Sequence, residues 1–155
     1  MMRLCFLRHG DADLPNWDKP DDERPLTERG KKEMRKVAKF LYCLDIPLDD
    51  ILSSPLVRAR QTADIVADRF KLHVYEQEAL AGGFNVSRLK ELVQQYPVDN
   101  LMIVGHEPSF SEVIGELTGG DCKMSKGGVA LVDLDEKAMK GRLLWLFPPK
   151  IAKAR

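Results

Sequence analysis

The chain has few cysteines: Cys5, Cys43 and Cys122 are widely spaced and odd in number, so they do not read as a disulfide scaffold. No Cys-x-x-Cys pair or His/Cys cluster offers a zinc site. No apolar run approaches the ~18 residues of a membrane helix. The apolar start, Met1 to Leu7, is cut off by Arg8-His9 before it could serve as a signal-peptide core. A reducing cytoplasm is therefore the expected location. An excess of one charge is also missing: Lys plus Arg and Asp plus Glu both number 24. That balance speaks against a general nucleic-acid or membrane binder, which usually carries a basic surplus. It leaves room for a local pocket of one sign. Internal repeats, low-complexity tracts and linkers are absent too.

What is present suits one soluble domain spanning residues 1–155, with 44% hydrophobic and 31% charged residues. A chain of this size buries roughly 70% of its unfolded surface and needs no covalent staples. Cys5 and Cys43 sit in apolar surroundings and read as small core residues. No apolar stripe is left over once the core is assigned, so a monomer is expected.

Short β-like runs alternate with longer helical patterns. Arg3 to Leu7 is a compact apolar strand, followed by a polar loop containing Pro15, Pro20 and Pro25. Thr27 is placed to cap a helix, with Gly30 in the slot where a capping box would carry Glu or Gln. Met34, Val37, Ala38, Leu41 and Tyr42 then recur at helical spacing. Ile51-Leu52-Ser53 reads as a short strand, and Ser54-Pro55 as the opening of a second helix with Ala59, Thr62, Ala63, Val66 and Phe70 on one side. His73 to Tyr75 and Val86 to Tyr96 follow as strand and helix. Leu101 to Val104 is a continuous apolar strand of the kind buried on both faces. Ser109 is expected to cap a fourth helix, closed by Gly119-Gly120. Val129 to Leu134 and Arg142 to Phe147 make a closing pair, and the basic tail after Pro148-Pro149 is expected to be loosely held. This alternation predicts a three-layer α/β/α sandwich with a mostly parallel central sheet.

In such sheets ligands gather beyond the carboxyl ends of the strands. Two histidines fall there: His9 after the first strand and His106 after the fourth, each beside a glycine, Gly10 and Gly105. Arg8 precedes His9, and Arg58 lies one turn into the helix after Ser53-Ser54. If these strands are parallel neighbours, two permanent cations and two imidazoles share one rim, an arrangement suited to phosphate. A neutral imidazole whose other nitrogen is pinned, for example by a carbonyl near Gly10, is a nucleophile for phosphorus. The second imidazole, protonated in the field of the anion, would donate to the oxygens as charge moves. This chemistry calls for no metal and no cofactor. Taken singly, each residue has a plainer reading, a polar cap on the sheet for a histidine and an exposed helix position for Arg58. Their convergence at one end of three strands is what points to a site.

The segments Leu7-Arg8-His9-Gly10, Arg24-Pro25-Leu26-Thr27 with Gly30, Ser53-Ser54-Pro55-Leu56-Val57-Arg58-Ala59-Arg60-Gln61-Thr62 and Val104-Gly105-His106-Glu107-Pro108 occur in that order. Together they resemble the histidine phosphatase, or phosphoglycerate-mutase-like, superfamily, and the short length and Arg8-His9-Gly10-Asp11-Ala12 opening look most like its SixA-type phosphohistidine phosphatases. The resemblance implies a phosphorylated nucleophile at His9 with Arg8, Arg58 and His106 around it. It also implies a two-step reaction through phospho-His9.

Many members of that family carry a general-acid glutamate in a Leu-x-Glu pattern under a helical insertion. Here the matching stretch is Leu80-Ala81-Gly82, with glycine in the carboxylate's place and little room for a lid. Glu107 and Asp11 remain as alternative acids or, with Gly10, as substrate contacts, and Glu107 also reads simply as a helix-start carboxylate. An alkoxide needs a proton as its P–O bond breaks. A phosphoramidate can leave as imidazole protonated from solvent, and an open rim admits a side chain mounted on another protein. The expected substrate is therefore phosphohistidine on a signalling or phosphotransfer protein. A small phosphomonoester or nucleotide is the enzymatic alternative, and a non-catalytic phosphoprotein-binding module is the rival from another class. Trp17 reads as a loop anchor and His73 as a structural residue of its strand.

Overall fold

A computed structural model describes residues 1–154. Six strands, β1 (Met2–Arg8), β2 (Asp50–Ser53), β3 (Val74–Glu76), β4 (Asn100–Gly105), β5 (Val129–Asp135) and β6 (Lys140–Phe147), form one sheet in the order β3-β2-β4-β1-β5-β6. β1 to β4 pair in parallel, while β5 runs antiparallel to β1 and β6 antiparallel to β5. Helices α1 (Glu28–Cys43) and α2 (Val57–Phe70) cover one face, and α3 (Val86–Gln95) and α4 (Ser109–Thr118) the other. The expected three-layer sandwich is what the chain forms.

The layers follow from side-chain alternation along the central strands. In β1, Leu4 and Phe6 pack with Leu89, Phe110 and Ile114, while Cys5 and Leu7 pack with Met34, Val37 and Ala63. Both faces are dry, so β1 and β4 read as unbroken apolar runs. Burial of these side chains stabilises by ~25 cal/mol for each Å² of apolar surface removed from water. Helix α1 starts where Thr27 accepts from Gly30 N–H at 2.9 Å. Glycine in that slot has a physical cause: a Cβ at Gly30 would lie 3.1 Å from the backbone N and C of Asp11 and closer still to its carbonyl oxygen.

Several local expectations are corrected. Cys43 is exposed, unlike the buried Cys5, because it stands off the stripe formed by Met34, Val37, Ala38 and Leu41. Helix α2 begins at Val57 rather than at Ser54-Pro55. Ser54 instead donates its N–H to Val104 O at 3.0 Å and is held to the sheet. Ser109 makes no cap; it is the first residue of α4, and Glu107 Oε1 accepts the Ser111 N–H at 2.8 Å. The tail is docked rather than loose as far as Ala152: Pro149–Ala154 forms a 3-10 turn, and Pro149 and Ala152 are buried. Arg155 lies outside the described residues. No helix among the described residues is long and apolar enough to cross a membrane.

Candidate active site

Register alone brings the two imidazoles together. Arg8 stands opposite Gly105 in the β1–β4 pairing, and His9 N–H continues the ladder to Gly105 O at 3.1 Å. Both chains leave the sheet at the same level, so the His9 and His106 rings sit 5.3 Å apart, centroid to centroid. β2 lies on the far side of β4 with Ser53 opposite Val104, which places Ser54 beside His106. Three parallel strand ends thus deliver His9, His106 and Ser54, and the first turn of α2 delivers Arg58.

His9 is buried, 7% exposed, and its Nδ1 lies 2.8 Å from the Gly10 carbonyl oxygen. A carbonyl oxygen can only accept, so in the neutral ring Nδ1 carries the proton and Nε2 keeps its lone pair. Gly10 is itself fixed, its N–H donating to Thr62 Oγ1 at 3.1 Å while that hydroxyl donates to Arg58 O at 2.8 Å. One buried threonine therefore ties the carbonyl that orients His9 to the turn that carries Arg58. Burial above all pushes the His9 pKa down to about 3; the hydrogen bond to Gly10 pulls it upward, and electrostatic repulsion from His106, Arg58 and Arg8 lowers it further. Burial followed by Arg58 and Arg8 pushes His106 down to about 4, with Asp21 pulling weakly upward. Both rings are neutral at pH 7 in the free protein. The protonated His106 anticipated from the sequence thus requires a bound anion to raise it. Its Nε2 lies 2.8 Å from Ser54 Oγ, a hydroxyl able to serve a ring nitrogen in either role.

The arginines are held from their tips. Arg8 Nη1 donates to Met124 O at 2.9 Å. Arg58, 8% exposed, donates from Nη1 to Asp21 O at 2.8 Å and from Nη2 to Asp21 Oδ2 at 3.1 Å. Asp21 also accepts from Arg24 Nε and Nη2. Arg8 Nε and Arg58 Nε are buried and have no hydrogen-bond partner among the described residues. Two orphaned guanidinium donors beside two neutral imidazoles are a costly arrangement unless an anion completes it.

The remaining sequence candidates fall around this core. Asp11 is turned to the start of α1: its carboxylate accepts from Thr27 Oγ1 at 2.8 Å, and its backbone carbonyl from Thr27 N at 2.9 Å. Glu107 accepts from Ser111 N–H, from the Ser111 hydroxyl and, at 3.3 Å, from Met124 N–H. No helical insertion separates β3 from α3; a 3-10 turn, Glu78–Leu80, leads to Gly82 and Gly83, where an added Cβ would meet open space. Trp17 is half-buried and anchors its own loop, its Nε1 donating to Pro20 O at 3.0 Å. His73 is exposed, its ring near Tyr75. A cavity of about 490 Å³ lined by Trp17, Leu14 and Asp21 among others adjoins Arg58 through Asp21. No group of three or more His, Cys, Asp or Glu among the described residues could hold a metal ion.

Sequence reasoning missed Asp21, Met124 and the bridging part of Thr62. Only Thr62 had a readable signal, its i,i+4 spacing from Arg58, which lets a hydroxyl reach back to the helix carbonyl.

The chain is similar to known proteins. A family model described as "Histidine phosphatase superfamily (branch 1)" matches residues 4–83. The phosphohistidine phosphatase SixA of Escherichia coli is 30% identical, with 99% of each chain covered. An uncharacterized protein of Picosynechococcus is 33% identical over 83% of this chain and 82% of its own. A solved structure of the protein histidine phosphatase SixA complexed with tungstate superposes with a TM-score of 0.87, at 28% identity, covering 97% of this chain and 99% of that one. The chain belongs to the histidine phosphatase superfamily and is one of its SixA-like phosphatases.

Proposed function

We propose that this phosphatase hydrolyses phosphohistidine on a protein, through a covalent phosphoryl group on His9. The observation that carries the reading is the His9 tautomer: Nδ1 is committed to Gly10 O, leaving an unprotonated Nε2 in a buried site that also holds two orphaned arginine donors. A pure phosphate-binding module has no need of a nucleophilic lone pair beside its cations.

In the first step His9 Nε2 attacks phosphorus in line with the scissile P–N bond. That bond breaks, its electron pair returns to the substrate nitrogen, and a substrate ring protonated from solvent departs as neutral imidazole. Arg8 and Arg58 hold the non-bridging oxygens, and His106, its proton affinity raised by the dianion, donates to them as charge shifts. In the second step water attacks the phosphorus of phospho-His9, the new P–N bond breaks, and phosphate leaves with His9 restored. Three features support a phosphoramidate on a protein over a small ester. Gly82 stands where the family's acid would be, residues 77–85 build no lid, and a cavity beside Trp17 is lined by Asp21, the partner of Arg58. Three free cysteines fit a cytoplasmic setting.

The test compares hydrolysis of a phosphohistidine-bearing protein with that of a panel of sugar phosphates and nucleotides, using wild type and His9→Ala. Preference for the phosphoprotein, abolished in His9→Ala, is expected. Preference for the panel overturns the substrate, and full turnover by His9→Ala overturns the mechanism.

A further inference from the structure

Glu107 directly follows His106, and as a carboxylate it is an obvious stand-in for the missing acid. Its hydrogen bonds say otherwise. Oε1 accepts from Ser111 N–H at 2.8 Å, and Oε2 accepts from the Ser111 hydroxyl and from Met124 N–H at 3.3 Å. Met124 N–H is shared with Ser111 Oγ at 3.2 Å. Met124 is fully buried, and its carbonyl takes the 2.9 Å bond from Arg8 Nη1. Glu107 also lies near enough for its charge to favour the Arg8 cation against the cost of burial. A carboxylate with both oxygens engaged by donors on the protein is poorly placed to deliver a proton to a leaving group.

We infer that Glu107 is a positioning residue for Arg8: with Ser111 it holds Met124 by its N–H, and the carbonyl on the other side of the same Cα aims the guanidinium at the phosphoryl group. The inference rests on the proposed function only in taking Arg8 as a phosphoryl contact. The 119–128 segment between α4 and β5 has no regular secondary structure apart from a turn at Lys126-Gly127, so the Glu107–Ser111 pair supplies the order that a strand or helix would otherwise give. Because the N–H held by Glu107 and the carbonyl used by Arg8 flank the same Met124 Cα, losing the first bond loosens the second. A misplacement of ~1 Å in such a group costs roughly 10²-fold in rate.

The test measures kcat, KM and orthovanadate inhibition for Glu107→Gln, Glu107→Ala and Ser111→Ala, with aryl phosphates of graded leaving-group pKa. Each variant is also placed in an Arg8→Ala background. A positioning residue lowers kcat/KM by about 10- to 100-fold, by the same factor across the series, and weakens orthovanadate alike. In the Arg8→Ala background, the same substitutions then change kcat/KM by no more than about 3-fold. A loss that grows with leaving-group pKa while orthovanadate affinity is unchanged would identify Glu107 as the acid and overturn the inference. So would additive losses in the double variants, or wild-type kinetics in all three single ones. If Glu107→Ala does not fold, Glu107→Gln and Ser111→Ala decide by the same criteria. Failure of the underlying reading is separately visible, since Arg8→Ala would then hydrolyse these substrates at the wild-type rate.

Discussion

Thr62 offers the most direct probe of how the site is built. Its hydroxyl is fully buried, accepts from Gly10 N–H at 3.1 Å and donates to Arg58 O at 2.8 Å. Thr62→Val replaces that hydroxyl with a methyl of nearly the same volume, so packing is kept and the two bonds are lost. As an interior helix carbonyl, Arg58 O keeps its intrahelical N–H, but Gly10 N–H is left buried without an acceptor, at a cost of ~1–3 kcal/mol. With a central value of about 2 kcal/mol and the ~2–4 °C per kcal/mol typical of this size, Tm falls by roughly 4–8 °C. Gly10 also carries the carbonyl that fixes the His9 tautomer, so kcat/KM drops by about tenfold or more for a displacement of a fraction of an ångström. Thr62→Ser keeps both bonds and loses one methyl, about 1 kcal/mol, with near wild-type activity. Urea unfolding followed by circular dichroism gives the stabilities, checked for equal m values, and steady-state kinetics give the rates. If Thr62→Val matches wild type in stability to within about 0.5 kcal/mol, or Thr62→Ser loses activity as severely as Thr62→Val, the bridging assignment is wrong.

Acid should destabilise the protein through its imidazoles. Below their ordinary pKa of 6.5, unfolded histidines take up protons that native His9 and His106 refuse down to about 3 and about 4, so stability falls as pH drops through that window. Urea titrations should show a shallower fall in His9→Asn, and an unchanged slope would refute a buried neutral His9. Tungstate binding at neutral pH should take up protons as the dianion raises His106. Calorimetry in buffers of different ionisation enthalpy measures this uptake, which should vanish in His106→Ala; persistence there would place the proton elsewhere. Gly30→Ala forces a Cβ against the Asp11 backbone and should cost ~1–3 kcal/mol in unfolding free energy. It should also weaken tungstate binding through the displaced 10–12 segment, whereas a stable variant with full affinity would show that the approach is not tight.

Much of the fold was legible because both cores write themselves into the apolar pattern: unbroken runs for β1 and β4, and helical stripes for α1 and α2. The ends of β1 and β4 were legible for the same reason, with His9 and His106 just beyond them; that the two strands are neighbours was only a condition there, and the pairing supplies it. Cys43 was misread because apolar surroundings in sequence say nothing about which face of a helix a residue occupies. Ser109 as a cap and Ser54-Pro55 as a helix start were misread because each is decided by partners outside the local sequence pattern. Glu107 takes the Ser111 N–H in the first turn of α4, and Val104 and His106 hold Ser54. Asp21 and Met124 carried no local signal at all. Each enters the site through long-range contacts, 37 residues away from Arg58 and 116 from Arg8, and for Met124 the group that matters is a backbone carbonyl that any residue would supply.

The most direct measurement is rapid quenching of the enzyme with a phosphoryl donor labelled on phosphorus, followed by peptide mapping. The account predicts acid-labile, base-stable label on the peptide containing His9, appearing and decaying within one turnover and absent in His9→Ala. Turnover by wild type with no label at His9, or with label on another residue, contradicts it.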